Sequence, residues 1–264
     1  MKTTECKICK YIAEQFTTAK IMDKYQINYF KCPHCGFIQT EEPIWLEEAY
    51  KESINITDTG ILKRNQVLAN FSTIIISLFF NKKNKFLDYA GGYGIFTRMM
   101  RDIGIDFYWD DKYSQNLLAR GFEYNEKDTY ELLTSFESFE HLTNPIESIE
   151  KMLQISNNIL LSTTLIPKKK PLADEWEYYG LEHGQHISFY SLETMEFIAK
   201  KYNLYFYTNR KNIHLFTVKK INNTLFRLLY ILSRLGLSNI FKLCLKSKTL
   251  KDSAILKKTL RYEV

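Results

Sequence analysis

Four of the five cysteines fall in two pairs: Cys6-x-x-Cys9, then, after 22 intervening residues, Cys32-Pro33-His34-Cys35-Gly36. Two such pairs can gather four thiolates around one tetrahedral ion, and a glycine after the last cysteine lets the backbone turn toward it. Four sulfur ligands leave no open coordination position, so a zinc ion on Cys6, Cys9, Cys32 and Cys35 would be structural rather than catalytic. A segment of about 40 residues has too little core to fold without such a staple. His34 is expected beside the site or exposed, and Cys244 reads as a core or groove residue.

A second group lies where an apolar run turns into a helical one: Asp88-Tyr89-Ala90-Gly91-Gly92-Tyr93-Gly94. A glycine-rich turn there lets a cofactor approach the backbone and aims helix N-terminal N–H groups at its polar end. The spacing differs from G-x-G-x-x-G, which disfavours a nicotinamide dinucleotide. About 20 residues on, at the end of the next apolar run, stand Asp110 and Asp111. A carboxylate there can accept both hydroxyls of an adenosine ribose, and Asp111 is the favoured one of the two. Further along come Phe136-Glu137-Ser138-Phe139-Glu140-His141-Leu142 and a segment with His183 and His186. Two histidines three apart titrate near neutral pH, and either can take a proton from a hydroxyl.

These groups need elements to position them. From Lys85 onward short apolar runs alternate with helical segments, the pattern of a largely parallel sheet with crossover helices. Strands are expected near 86–89, 106–109, 131–136 and 157–163, with a hairpin of 204–208 and 213–218 as an antiparallel edge. Helices are expected over 44–52, 62–78, 96–103 and 192–202, with the polar stretch 54–60 between the first two. Leu225, Leu228, Leu229, Leu232 and Leu235 predict one or two amphipathic helices in the tail. The domain reading is a four-cysteine zinc module at 1–45, a helical linker and cap at 46–80, an α/β domain at 81–220 and basic amphipathic helices at 221–264.

Over 264 residues the formal charge is +6, with nine Lys or Arg after residue 221 against Asp252 and Glu263. The excess is too small to mark a nucleic-acid binder, and it sits in the tail. No apolar run approaches the ~20 residues of a membrane span, and the start lacks a signal peptide's apolar stretch. A cytoplasmic protein with reduced thiols is expected.

Leu87 to Gly94, Asp111 and Glu137 to Leu142 together resemble the class I S-adenosylmethionine-dependent methyltransferases that act on small molecules. Their pattern runs Leu-Asp-x-Gly-x-Gly-x-Gly and later Glu-x-x-Glu-His-Leu. The similarity covers roughly residues 85–220. It implies a Rossmann-like fold with a mostly parallel seven-stranded sheet, an antiparallel edge hairpin, a small N-terminal zinc ribbon and C-terminal helices. It implies S-adenosylmethionine as cofactor, held by Asp88, Tyr89, Ala90, Gly91, Gly92, Tyr93, Gly94, Asp110, Asp111, Phe136, Glu137 and His141, with His141 in the helix that follows. Ala90 departs from the family glycine, and its methyl is tolerated where the backbone is not left-handed.

The cysteine pairs in front of this pattern, with His186-Ile187-Ser188-Phe189 after it, resemble bacterial sugar methyltransferases of surface-polysaccharide pathways. The expected reaction is O-methylation of a sugar hydroxyl. His186 is the base, His183 hydrogen-bonds the substrate, and Glu137, Tyr93 and Trp176 to Tyr179 shape the acceptor pocket. In-line displacement from a sulfonium requires alignment and one proton acceptor, not a catalytic metal. Related C-methyltransferases carry Glu-His where this chain has Gln185-His186, and a further large C-terminal domain for which the 45 or so residues after Val218 leave no room. Sugar C-methylation, nucleic-acid methylation and a non-catalytic binding role are the alternatives. A small sugar substrate and no nucleic acid are expected as partners; the basic tail reads first as an ordinary packed helix pair, with contact to an anionic membrane surface as the lesser alternative, and an oligomer is left open.

Overall fold

The structure, a computed structural model, describes residues 2–51, 58–169 and 171–262. In chain order the elements are β1 (Thr3–Glu5), β2 (Ile12–Ile21), β3 (Tyr25–Lys31), β4 (Ile38–Thr40), α1 (Leu46–Ala49), α2 (Ile61–Phe79), β5 (Lys85–Tyr89), α3 (Ile95–Ile103), β6 (Asp106–Asp110) and β7 (Tyr130–Phe136). There follow α4 (Pro145–Ile155), β8 (Ile159–Ser162), β9 (Ser188–Phe189), α5 (Leu192–Lys201), β10 (Tyr205–Thr208), β11 (Ile213–Thr217), α6 (Asn223–Arg234), α7 (Ser238–Lys242) and α8 (Thr249–Tyr262).

Two sheets form, one in the order β1-β2-β3-β4-β9, the other β10-β11-β8-β7-β5-β6. The second has six strands among the described residues where seven were expected. The difference lies beyond β6, where Trp109 and Glu123 make a single parallel bridge, with Trp109 N–H donating to Phe122 O and Tyr124 N–H to Trp109 O. One bridge stands where an edge strand would run, because 125–129 is a polar turn with nothing apolar to extend it. The helix expected at 44–52 is a single turn, α1, and residue 52 and the stretch 54–57 lie outside the described residues. The tail holds three helices rather than one or two, broken at Gly236 (φ 94°) and after Lys242.

By contacts the chain divides into two units, the first comprising Met1–Asn55, Phe136–Gln154 and Leu161–Lys220, the second Ile56–Ser135, Ile155–Leu160 and Ile221–Val264. In the first unit β1 to β4 and β9 pair antiparallel. One face covers a core of Tyr29, Trp45, Tyr179 and Phe189. β10 and β11 pair as the expected hairpin, Tyr205 opposite Thr217. α5 begins at Ser191, whose hydroxyl accepts from Thr194 N–H while Thr194 reciprocates, so two of the helix's orphan donors are satisfied.

In the second unit β5 pairs in parallel with β6 on one side and β7 on the other. Phe86, Leu87 and Asp88 are buried, as a central strand covered on both faces requires. α6 seats Phe226 edge-on against Phe71 of α2, centroids 5.2 Å apart. α8 is tied down by Asp252, which accepts from Arg101 (2.7 and 2.8 Å) and Arg98 (2.9 Å). Cys244, expected in a core or groove, is exposed, because it falls in the link between α7 and α8.

Candidate active site

In the second unit the glycine turn leaves the carboxyl end of β5 and opens α3. Asp88 sits beneath it, buried, accepting from the hydroxyls of Thr97 and Thr134 at 3.0 Å each. Burial pushes its carboxyl up to about 7, against the two hydroxyls, which favour the charged form. Gly91 has no room for a side chain: an added Cβ would lie 2.7 Å from Asp88 Oδ2 and 2.9 Å from Trp109 Cδ1. Gly92 (φ 54°) faces open space, and Gly94 (φ 83°) caps α3.

Ala90 is also left-handed, with φ 57°. The condition under which its methyl is readily tolerated is therefore not met: alanine adopts the left-handed conformation against its preference, where glycine would adopt it freely.

The turn is clamped from β6. Trp109 Nε1 donates to Gly92 O (2.8 Å) and Gly92 N–H to Asp111 Oδ2 (2.9 Å). Asp111 Oδ1 takes the N–H groups of Tyr113 (2.7 Å) and Ser114 (2.8 Å), so both its oxygens are engaged by backbone. Asp110, the last residue of β6, accepts Gly91 N–H at its backbone carbonyl (3.1 Å), its carboxylate takes no hydrogen bond among the described residues, and burial together with the adjacent Asp111 raises its pKa. Tyr89 ends β5 opposite Asp110, and the Tyr93 carbonyl accepts from Leu117 and Leu118.

In the first unit Phe136 ends β7 and Glu137 follows with φ 50°. Glu137 N–H donates to the hydroxyl (2.9 Å) and carbonyl (3.2 Å) of Ser162, and the Ser162 hydroxyl donates back to the Glu137 carboxylate. His141 closes the 3-10 turn Phe139–His141 ahead of α4, not within that helix, because Pro145 starts α4 and cannot extend it backward.

Three histidines gather here. His186 lies 4.9 Å from His141 and 4.8 Å from His183 by ring centroids. Their tautomers follow from their partners. His186 Nδ1 is 2.6 Å from Tyr178 O and His141 Nδ1 is 3.0 Å from Gln185 O; a carbonyl only accepts, so both rings carry their proton on Nδ1 and keep a lone pair on Nε2. His183 is the reverse: its Nδ1 accepts from Gln185 N–H at 3.1 Å, so Nε2 carries the proton. Burial lowers the pKa of all three. The fall is largest for His186, where His141 and His183 add to it.

Of the aromatic stretch, Tyr179 is core: it is fully buried edge-on to Tyr29 at 5.0 Å, and its hydroxyl donates to Pro171 O. Trp176 packs on Tyr178, Tyr179 and Phe189. The Tyr178 hydroxyl accepts from Thr164 N–H at 2.9 Å, and its ring packs against His186.

Cys6, Cys9, Cys32 and Cys35 converge in the same unit, with Cys6 and Cys35 sulfurs 3.6 Å apart and Cys9 and Cys32 sulfurs 3.4 Å apart. Sulfurs around zinc stand about 3.8 Å apart, from Zn–S bonds near 2.3 Å in a tetrahedron. The two loops match. Cys6 O accepts from Lys10 N–H and Cys32 O from Gly36 N–H, both at 3.0 Å, and Lys10 (φ 64°) and Gly36 (φ 74°) are both left-handed. A Cβ on Gly36 would collide with the Ser191 hydroxyl. His34 is exposed, stacked on Tyr11.

The family model for the methyltransferase domain matches residues 64–209. The chain belongs to the methyltransferase-domain family. No curated protein matches it. Among solved structures it is similar to TnmH, at 12% identity over 67% of this chain and 62% of that one, with a TM-score of 0.48. It is similar to the mitomycin 7-O-methyltransferase MmcR, at 10% identity over 66% and 60%, TM-score 0.46. It is also similar to an O-methyltransferase family protein from Burkholderia thailandensis, at 12% over 67% and 68%, TM-score 0.45. The chain spans about three fifths of the length of the first of these.

The structure therefore places Asp88 to Gly94, Asp110 and Asp111 together in one unit, and Phe136, Glu137, His141, His183 and His186 in the other. Trp109 and Ser162, which hold the glycine turn and Glu137, were missed. Both sit inside ordinary apolar runs and carry no local signal. His214 was missed too: it is buried, donating from Nε2 to Thr163 O (2.9 Å) and accepting at Nδ1 from Thr208 (2.8 Å), which makes it a structural neutral histidine.

Proposed function

We propose that this chain is an S-adenosylmethionine-dependent O-methyltransferase acting on a sugar hydroxyl, nucleotide-linked or in a polysaccharide precursor. The carrying observation is the His186 tautomer: a neutral ring whose Nδ1–H is committed to Tyr178 O and whose Nε2 lone pair is free to accept a hydroxyl proton. When bound, the cofactor supplies an electrophilic methyl group with its own leaving group.

The residues fit that group. Gly91 lets the turn pack directly on Asp88 and Trp109, Gly92 faces open space where a ligand can approach the backbone, and Asp110 is a carboxylate at the strand end with hydrogen-bonding capacity to spare. We assign the ribose hydroxyls to Asp110, with Asp111 holding the turn through Gly92, Tyr113 and Ser114. His183 presents Nε2–H to an acceptor oxygen, and Glu137, fixed by Ser162, orients the acceptor. Tyr89 and Tyr93, in the same unit as the glycine turn, complete this part of the cofactor set.

Zinc on the four cysteines is structural in this reading, and residues 1–45 form its module, 46–80 a linker and cap, 81–220 the catalytic domain and 221–264 the tail. Among the described residues no helix is long and apolar enough to cross a membrane. The tail exposes Leu228, Ile231, Leu235 and Leu243 amid basic side chains. We assign it to an anionic membrane surface. Co-sedimentation with phosphatidylglycerol vesicles but not phosphatidylcholine vesicles is expected, and equal recovery with both contradicts it.

The function is tested by incubating the protein with S-adenosylmethionine and a panel of nucleotide sugars, read by mass spectrometry. One added methyl group on a sugar oxygen is expected. Methylation at carbon, or of RNA or DNA alone, overturns the acceptor class.

A further inference from the structure

Glu140, His141 and His186 bring one carboxylate oxygen and one nitrogen from each ring within 4.8 Å of one another. The placement is a property of the backbone. Ile187 N–H donates to Glu140 O (2.9 Å), the Ser188 hydroxyl to Leu142 O (2.7 Å) and the His141 ring to Gln185 O (3.0 Å), so the 3-10 turn and the strand after His186 are laced together. Both imidazoles donate Nδ1–H to a backbone carbonyl and keep Nε2 as a lone pair. That is the arrangement that fixes tautomer and ring direction in metal-bound histidines. The rings stand 70° apart, so they are not stacked on each other.

Glu140 has no exposed surface, and a carboxylate buried to that degree is costly to keep charged. A cation beside it offsets that cost. Two imidazoles and one carboxylate suit a borderline divalent ion, such as zinc, cobalt or nickel, better than magnesium or calcium, which prefer oxygen ligands. Bonds of about 2.1 Å place neighbouring ligand atoms some 3 to 3.5 Å apart, so binding draws the three groups in by about an ångström or so.

We propose that Glu140, His141 and His186 form a second, divalent transition-metal site, separate from the four cysteines, and that its occupancy switches methyl transfer off. The inhibitory part rests on the reading of His186 as base: an ion on its Nε2 takes the lone pair that the acceptor proton needs. The metal-binding part stands without that reading.

Cobalt(II) is the probe, titrated into the full chain, because thiolate-bound cobalt shows intense near-ultraviolet charge-transfer bands and a nitrogen and oxygen site shows only weak visible ones. The expected result is two equivalents of cobalt, one with the thiolate bands of the four cysteines and a second, at micromolar affinity, that adds only weak visible bands. Glu140→Gln and His141→Asn should each weaken it at least about tenfold with the thiolate bands unchanged, which also reports that the chain is folded. Wild-type protein that takes up no cobalt outside the thiolate site overturns the proposal whatever the variants do, as do folded variants that bind as tightly as wild type. In the turnover arm, micromolar zinc should suppress transfer and a chelator restore it. Metal binding that leaves transfer unchanged overturns the switch. If no acceptor is methylated at all, the cobalt spectra still decide the site, so failure of the site and failure of the methyltransferase reading are told apart.

Discussion

Ala90 offers a perturbation whose sign follows from one backbone angle. At φ 57° it holds a conformation that costs an L-residue about 1–2 kcal/mol relative to ordinary backbone. Ala90→Gly removes that cost but gives the unfolded chain more freedom, worth about 0.4–1 kcal/mol in the opposite direction. The net expectation is stabilisation by about 0.5–1 kcal/mol, or roughly 1–4 °C in melting temperature for a protein of this size. Ala90→Val should go the other way by more, because a β-branched side chain is least tolerated in the left-handed region. Differential scanning calorimetry of the three proteins at one pH is the assay. A melting temperature lowered by glycine, or a valine variant equal to wild type, would refute the claim that strain is stored at this turn. Dissociation constants for S-adenosylmethionine measured alongside should stay within about threefold for Ala90→Gly, a difference of under 1 kcal/mol, because glycine is the residue the family uses there.

Other consequences can be checked with the same protein. Asp110→Ala should weaken cofactor binding by about 10- to 100-fold through loss of charged hydrogen bonds, whereas Asp111→Ala should chiefly lower the melting temperature; the opposite pattern by calorimetry would return the ribose to Asp111. His186→Ala should lower kcat by about 10²- to 10⁴-fold with little change in cofactor affinity. Because burial lowers the His186 pKa, the lone pair survives acidification, so the acid limb of kcat/KM should lie below pH 6.5; a limb above it contradicts the assignment. Stability runs the same way. The unfolded chain protonates its histidines near 6.5 while the native state resists, His214 down to about 4, so the melting temperature should fall as pH drops through that window. On the proposal that zinc sits on the four cysteines, Cys9→Ser should release it, measured by atomic absorption, and make the segment around the cysteine loops more open to proteolysis.

How much of this could be read beforehand differs by feature. The apolar runs Phe86–Leu87 and Leu132–Leu133 announced the parallel strands, because burial leaves a compositional mark, whereas the cysteine spacing pointed to a zinc module without announcing the five-stranded sheet that carries it. The seventh strand, absent among the described residues, left no such mark, since Phe122 and Tyr124 alone could have begun a strand or ended at a bridge. Alanine at position 90 carries no sign of its φ. The proposed assignment of the ribose to Asp110 instead of Asp111 rests on which carboxylate meets the N–H groups of Gly92, Tyr113 and Ser114, a matter of one residue's rotation at a strand end. Tyr179 was taken for a pocket residue because Tyr serves cores and pockets alike, and its full burial against Tyr29 with its hydroxyl on Pro171 O is what separates the two. The histidines were found by type, but which nitrogen carries the proton followed from the carbonyls of Tyr178 and Gln185, which sequence spacing does not position.

The most direct test of the account is isothermal calorimetry of the purified chain with S-adenosylmethionine. One equivalent should bind at micromolar affinity, and S-adenosylhomocysteine should compete for the same site. No heat with either ligand, from protein shown by its melting transition to be folded, would contradict the reading of Asp88 to Gly94 and Asp110 as a cofactor site, and with it the proposed reaction.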